Sequence, residues 1–112
     1  MKRYKYQAVI ELYPAQHGGL QTSLPAQARC LVVRAHDLQA HRSKMFSSVV
    51  TADDGQPLQP GDSHRVVTMQ LSGDDAAQYV HAGDHFDLWY GTDVGYGVVT
   101  RRMVSWLFAG AC

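Results

Sequence analysis

Four polar side chains within seven residues, His81, Asp84, His85 and Asp87, form the most suggestive cluster in the chain. A His-x-x-x-His spacing flanked by carboxylates could supply three ligands to zinc, since both imidazoles would share one face of a helix. The Gly83-Asp84 pair breaks such a helix, however. In an extended chain His85 and Asp87 point together while His81 sits across a turn. His81, His85 and Asp87 are therefore candidate ligands only, and the expectation is a set of solvated turn residues with no bound metal. His36, Asp37 and His41 make a second polar patch. A His-Asp pair can orient a general base, but neighbours on an extended chain face opposite ways and no nucleophile is specified nearby, so a surface loop is expected. Cys30 lies in an apolar run, where a thiol ordinarily behaves as a small buried hydrophobe of low reactivity. The chain contains no GxSxG elbow, no HExxH pair and no phosphate-cradling glycine loop. The expectation is a binding domain that is not an enzyme, with no cofactor and no bound nucleotide.

Binding chemistry is then sought among the aromatic and basic side chains. Tyr4, Tyr6, Tyr13, Phe86, Tyr90, Tyr96 and Trp106 are expected mostly in the core, because alternating aromatics fill small barrels. Trp89 shares a strand face with His85 and Asp87, so it is expected to be exposed and to anchor a protein partner. RNA is the alternative partner, held by Lys2, Arg3, Lys5, Arg34, Arg101 and Arg102. Ten basic residues balance ten acidic ones in the chain of 112, which weighs against RNA. Residues 1–50 nevertheless carry a balance of +5 and residues 51–112 one of −5. A polarised surface would follow only if the fold kept the two halves apart.

The elements that must position these groups read as strands. Tyr4 to Tyr13 alternates, with Tyr4, Tyr6, Ala8, Ile10 and Leu12 on one face. Pro14 and Gly18-Gly19 end it. Further strands are expected at 28–35, with a centre covered on both sides, and at 45–51, 63–71, 85–90 and 96–107, with turns at Asp53-Asp54-Gly55 and Pro60-Gly61-Asp62. One or two helical turns fit residues 72–80, with Asp74 capping them. Turn signals recur every ten or so residues and no long amphipathic helix intervenes. That pattern predicts an all-β antiparallel barrel of six strands, closed to remove exposed edges, over a single domain spanning 1–112. No apolar run approaches the ~20 residues that cross a bilayer. No signal-peptide core is seen near Met1, and the two cysteines suggest no disulfide framework. A cytosolic, membrane-free protein is expected.

Several turns occur in a familiar order: Gly18-Gly19-Leu20-Gln21-Thr22, a strand ending at Arg34, Leu58-Gln59-Pro60-Gly61-Asp62 before Val-Val-Thr, Ala82-Gly83-Asp84-His85-Phe86, and Val94-Gly95-Tyr96-Gly97-Val98-Val99. In this order and spacing the chain, over roughly residues 4–104, resembles the third, C-terminal β-barrel domain of translation elongation factor Tu. The resemblance implies a six-stranded antiparallel barrel of the kind that there packs on a GTPase domain, touches aminoacyl-tRNA and meets an exchange factor. Gly18, Gly19 and Thr22 match the family's glycine loop, and Gly95 and Gly97 its closing GxG. The Arg-His pair usual in the first loop is Leu20-Gln21 here, and the Arg-Thr ahead of the second is Thr92-Asp93, which removes charge-assisted phosphate contacts. The residues expected to bind are Gly18, Gly19, Thr22, Arg34, Trp89, Gly95, Gly97, Arg101 and Arg102, with an unidentified protein as the partner.

Overall fold

The computed structural model describes residues 3–37, 41–73 and 75–103. Among these residues seven strands occur in chain order: β1 (Arg3–Leu12), β2 (Gln27–Ala28), β3 (Val32–Asp37), β4 (Arg42–Ala52), β5 (Arg65–Ser72), β6 (His85–Trp89) and β7 (Asp93–Met103). A 3-10 turn at Ala15–His17 follows β1, and α1 (Ala76–Tyr79) follows β5. The strands pair antiparallel in the order β4-β3-β6-β7-β1-β5, and β5 returns to β4, closing a six-stranded barrel. β2 is an extra two-residue strand on β4, where Gln27 faces Thr51. No helix among the described residues is long and apolar enough to cross a membrane.

Period-two burial explains closure. Tyr6, Ala8, Ile10 and Leu12 of β1, Val33 and Ala35 of β3, Phe46, Val50 and Ala52 of β4, Val67, Met69 and Leu71 of β5, and Phe86 and Leu88 of β6 all point inward to one apolar core. Ser48 is a buried polar exception on β4, and its hydroxyl donates to the Leu31 carbonyl at 2.6 Å. On β7 the inward positions include Gly95 and Gly97. A Cβ on Gly95 would sit 2.4 Å from the Glu11 carbonyl oxygen, and one on Gly97 would sit 2.6 Å from the Phe86 ring and 2.8 Å from the Val9 carbonyl oxygen. These glycines let β7 press against β1 while the Phe86 ring fills the space inside.

Four expectations are corrected. The 28–35 segment is not one strand covered on both sides: it breaks between Ala28 and Val32, Cys30 is exposed in the break, and only Val33 and Ala35 of β3 face the core. His36 and Asp37 lie on β3 rather than in a loop. Tyr90 lies just past the end of β6, beyond a register shift at Leu88/Trp89, and is exposed instead of following Phe86 and Leu88 inward. Tyr96 faces outward between the inward Gly95 and Gly97. The helical turn forms, but its N-cap residue Asp75 gives no capping hydrogen bond and instead bonds Lys44. Asp74, proposed as the cap, and Trp106 lie outside the described residues.

Candidate functional site

Antiparallel register aligns outward side chains across strands. Val66 of β5 faces Val9 of β1, Val9 faces Val98 of β7, and Val98 faces His85 of β6. One row along, Glu11 of β1 faces Tyr96 of β7, which faces Asp87 of β6, which faces Arg34 of β3. Three directly paired valines thus cross the outside of β5-β1-β7. Val66 is 42% and Tyr96 43% exposed. Tyr13 closes the row's end, its ring centroid 5.8 Å from that of Tyr96. Burial raises the pKa of the Tyr13 hydroxyl, and the negative charges of Asp87 and Asp93 add to the rise. Cross-strand apolar pairs are stabilising, but nothing in the barrel's own closure requires these to stay uncovered.

The polar residues beside this row answer one another. Arg34 lies against both Asp87, at 3.5 Å, and Asp93, so its guanidinium is matched by two carboxylates. His36 Nε2 lies 2.9 Å from Oδ2 of Asp87, a residue of β6. Trp89 is half-buried on the same outer face, between Val32 of β3 and Asp93 of β7.

At the opposite edge of the row a cluster unmarked in the sequence appears. The Ser63 hydroxyl donates to Glu11 Oε1 at 2.6 Å, and the His64 amide donates to Glu11 Oε2 at 2.6 Å. His64 Nδ1 lies 2.9 Å from the Ser63 oxygen. This hydroxyl has one proton and directs it at the carboxylate, so the imidazole is left to donate to the serine oxygen. The trio ties the end of β1 to the start of β5 and holds His64 in the left-handed region at φ 54°. Glu11 has its pKa lowered, first by the Ser63 hydrogen bond and then by the His64 amide. Only the long-range pairing of β1 with β5 brings Glu11 to Ser63, 52 residues apart, so no local sequence motif marks it.

The remaining sequence-derived candidates separate. Asp84 accepts from the His81 amide at 2.9 Å and lies 3.1 Å from His81 Nδ1, which makes a local turn. His85 is exposed, and Asp87 is engaged by Arg34 and His36. No group of three His, Cys, Asp or Glu side chains able to hold a metal is assembled among the described residues. Gly18 is exposed in the left-handed conformation that ends the 3-10 turn. Gly19 is buried, and a Cβ there would overlap the Tyr13 carbonyl at 2.0 Å. Gly19, Gly95 and Gly97 therefore shape the barrel and offer no surface, whereas Thr22 is exposed on the following loop. Arg101 and Arg102 are both exposed near the end of β7. A register shift at Gln7/Ala8 separates them from the valine row. The Arg101 Nε donates to Gln7 Oε1 at 3.1 Å, and the Arg102 guanidinium lies 4.9 Å from the Tyr4 ring centroid.

No protein-family model matches the chain, and no curated protein matches its sequence.

Proposed function

We propose that the chain is a non-catalytic, protein-binding barrel, similar in its turns to the C-terminal barrel of elongation factor Tu, that docks its partner on the outside of β5-β1-β7. One observation carries this reading: the directly paired Val66, Val9 and Val98, bordered by the exposed Tyr96. Val66 and Tyr96 are exposed and Val9 and Val98 half-buried, and an apolar group of this kind on the outer face of a closed barrel, with no core to join there, is the usual centre of a protein interface. Trp89, half-buried on the adjoining strand, extends the surface toward β6. The Ser63 proton directed at Glu11, and Asp87 engaged by Arg34 and His36, favour binding over catalysis. The reading places the protein in the cytosol.

The test compares affinity capture by the wild-type barrel with capture by a Val66→Glu/Tyr96→Glu variant of unchanged melting temperature, each with and without nuclease. The reading expects a nuclease-resistant partner on the wild type and its loss from the variant. A partner retained equally by both proteins, or released by nuclease, overturns it.

A further inference from the structure

The chain contains no asparagine, so closure of a five-membered imide between a side chain and the next backbone amide falls to its aspartates. Asp54-Gly55 is its one aspartyl-glycine step, and glycine has no Cβ to shield the attacking amide. In this reaction the Gly55 nitrogen bonds to Asp54 Cγ. The carboxyl group, having taken a proton from solvent, loses its hydroxyl, which leaves as water with the amide proton. A second water then opens the imide. Entry at Cγ restores aspartate, whereas entry at the Asp54 main-chain carbonyl breaks its bond to Gly55 and leaves the chain running through the side chain as isoaspartate. The water lost is regained, so no other reactant is consumed.

The folded barrel opposes each part of the first step. The Gly55 amide is engaged as a donor to the Ala52 carbonyl at 3.1 Å. Asp54 Oδ1 accepts from the Gln56 amide at 2.9 Å and from the Arg65 guanidinium at 3.0 Å, so the carboxyl group must give up two donors before it can turn toward Gly55. The same bonds, the Gln56 amide first, hold the Asp54 carboxyl below its ordinary pKa and so keep it in the ionised form, which does not release hydroxyl. Bulk does not substitute for these bonds: the Asp54 side chain is 59% exposed, and a Cβ on Gly55 would meet nothing within 4 Å.

Arg65 joins this turn to the barrel. It is the first residue of β5, and the same guanidinium bonds Asp62, whose Oδ2 also accepts from the Gln59 amide at 2.8 Å. Asp62 precedes Ser63, the chain's one aspartyl-serine step. Both of these aspartyl steps thus hang on one side chain.

We propose that Asp54-Gly55 is a latent isomerisation site, which the Arg65 guanidinium keeps closed in the folded barrel and which loosening of the loop between β4 and β5 opens. The inference goes beyond the docking reading and does not depend on it. Isoaspartate adds an atom to the main chain and moves the carboxylate off the side chain, so the original clasp with Gln56 and Arg65 does not re-form on it. Imide closure is slow compared with loop opening, so its rate follows the fraction of time the loop is open.

Wild type, Arg65→Met and Arg29→Met are incubated folded, at mildly acid pH and below their melting temperatures, with wild type in strong urea as the open reference. Arg29 is an exposed cation near β2 that bonds Gln27 and serves as the control. Labelling by isoaspartyl methyltransferase counts the product, and electron-transfer fragmentation places it. Folded wild type should gain isoaspartate at Asp54 roughly tenfold or more slowly than in urea, Arg65→Met roughly fivefold or more faster than folded wild type, and Arg29→Met within about twofold of wild type. Equal rates for folded and urea-unfolded wild type, an Arg65→Met rate no higher than that of folded wild type or of Arg29→Met, or isoaspartate that accumulates at another aspartate in place of Asp54 would each overturn the proposal. Should Arg65→Met not fold, Arg65→Lys takes its place under the same outcomes.

Discussion

Replacing Arg65 with methionine should loosen the long loop between β4 and β5, which carries the buried Leu58. The Arg65 side chain is only 14% exposed, and it donates to the carbonyl oxygens of Pro57 at 2.9 Å and Gln56 at 3.0 Å. It also bonds the Asp62 carboxylate, itself a quarter exposed, and reaches Asp54 at the solvent edge. Four acceptors spread over nine residues thus converge on one guanidinium. Methionine keeps most of the aliphatic stem and removes all the donors. The exposed Asp54 pair is left out of the estimate, and water recovers part of what the two carbonyls lose. The net loss is then about 2 kcal/mol. For a chain of this size that corresponds to a fall of about 8 °C in melting temperature. Circular dichroism melts of the wild type, Arg65→Met and Arg65→Lys measure it. Lysine should recover less than half the loss, because one ammonium cannot span acceptors arranged around a planar fork. A fall of under about 2 °C for Arg65→Met would show that the loop holds its shape without the guanidinium and refute the reasoning.

Three further outcomes are expected. Gly97→Ala should cost roughly 1–3 kcal/mol in chemical denaturation, because the added methyl meets both the Phe86 ring and the Val9 backbone; an unchanged midpoint would contradict the close β1-β7 approach. Tyr6→Phe should leave stability unchanged or raise it by up to roughly 1 kcal/mol, since the buried Tyr6 hydroxyl has no hydrogen-bond partner among the described residues, and a clear loss would reveal one. Glu11, Asp54 and Asp75 have pKa values lowered by folding, each chiefly by a hydrogen bond it accepts. Their stabilisation is therefore complete above the unfolded-state values near pH ~4 and is lost as pH falls through the lower folded values. Denaturation midpoints should decline over that acid range, and Glu11→Gln should flatten the decline; an identical slope would remove the Glu11 clip from the account.

The barrel was legible because its causes are local. Alternation in residues 4–12 fixes which face of β1 is buried, and the Asp-Gly and Pro-Gly-Asp steps place turns with glycines at positive φ, as at Gly55 and Gly61. The site was legible only in part. Trp89 reads correctly as outward from its alternation with Phe86 and Leu88. Tyr96 does not, since its neighbours on both sides are glycines and the pattern gives no apolar residue to mark the inner face. Gly95 and Gly97 read as a loop motif, but their need arises from the β1 backbone and Phe86, distant in sequence. Arg34 reads as a free cation until the sheet brings Asp87 and Asp93 beside it. The valine row spans three strands that meet only in the closed barrel, so no segment of the sequence contains it.

Site-specific photocrosslinking tests the central claim most directly. A photoreactive benzoylphenylalanine is placed in turn at Tyr96, at Val66 and, as the control, at the exposed Gln16 of the 3-10 turn, in cells that make the protein. The docking surface predicts one nuclease-resistant protein adduct of the same mass shift from positions 96 and 66 and none from position 16. Adducts of equal yield from all three positions, or adducts that nuclease removes, would contradict it.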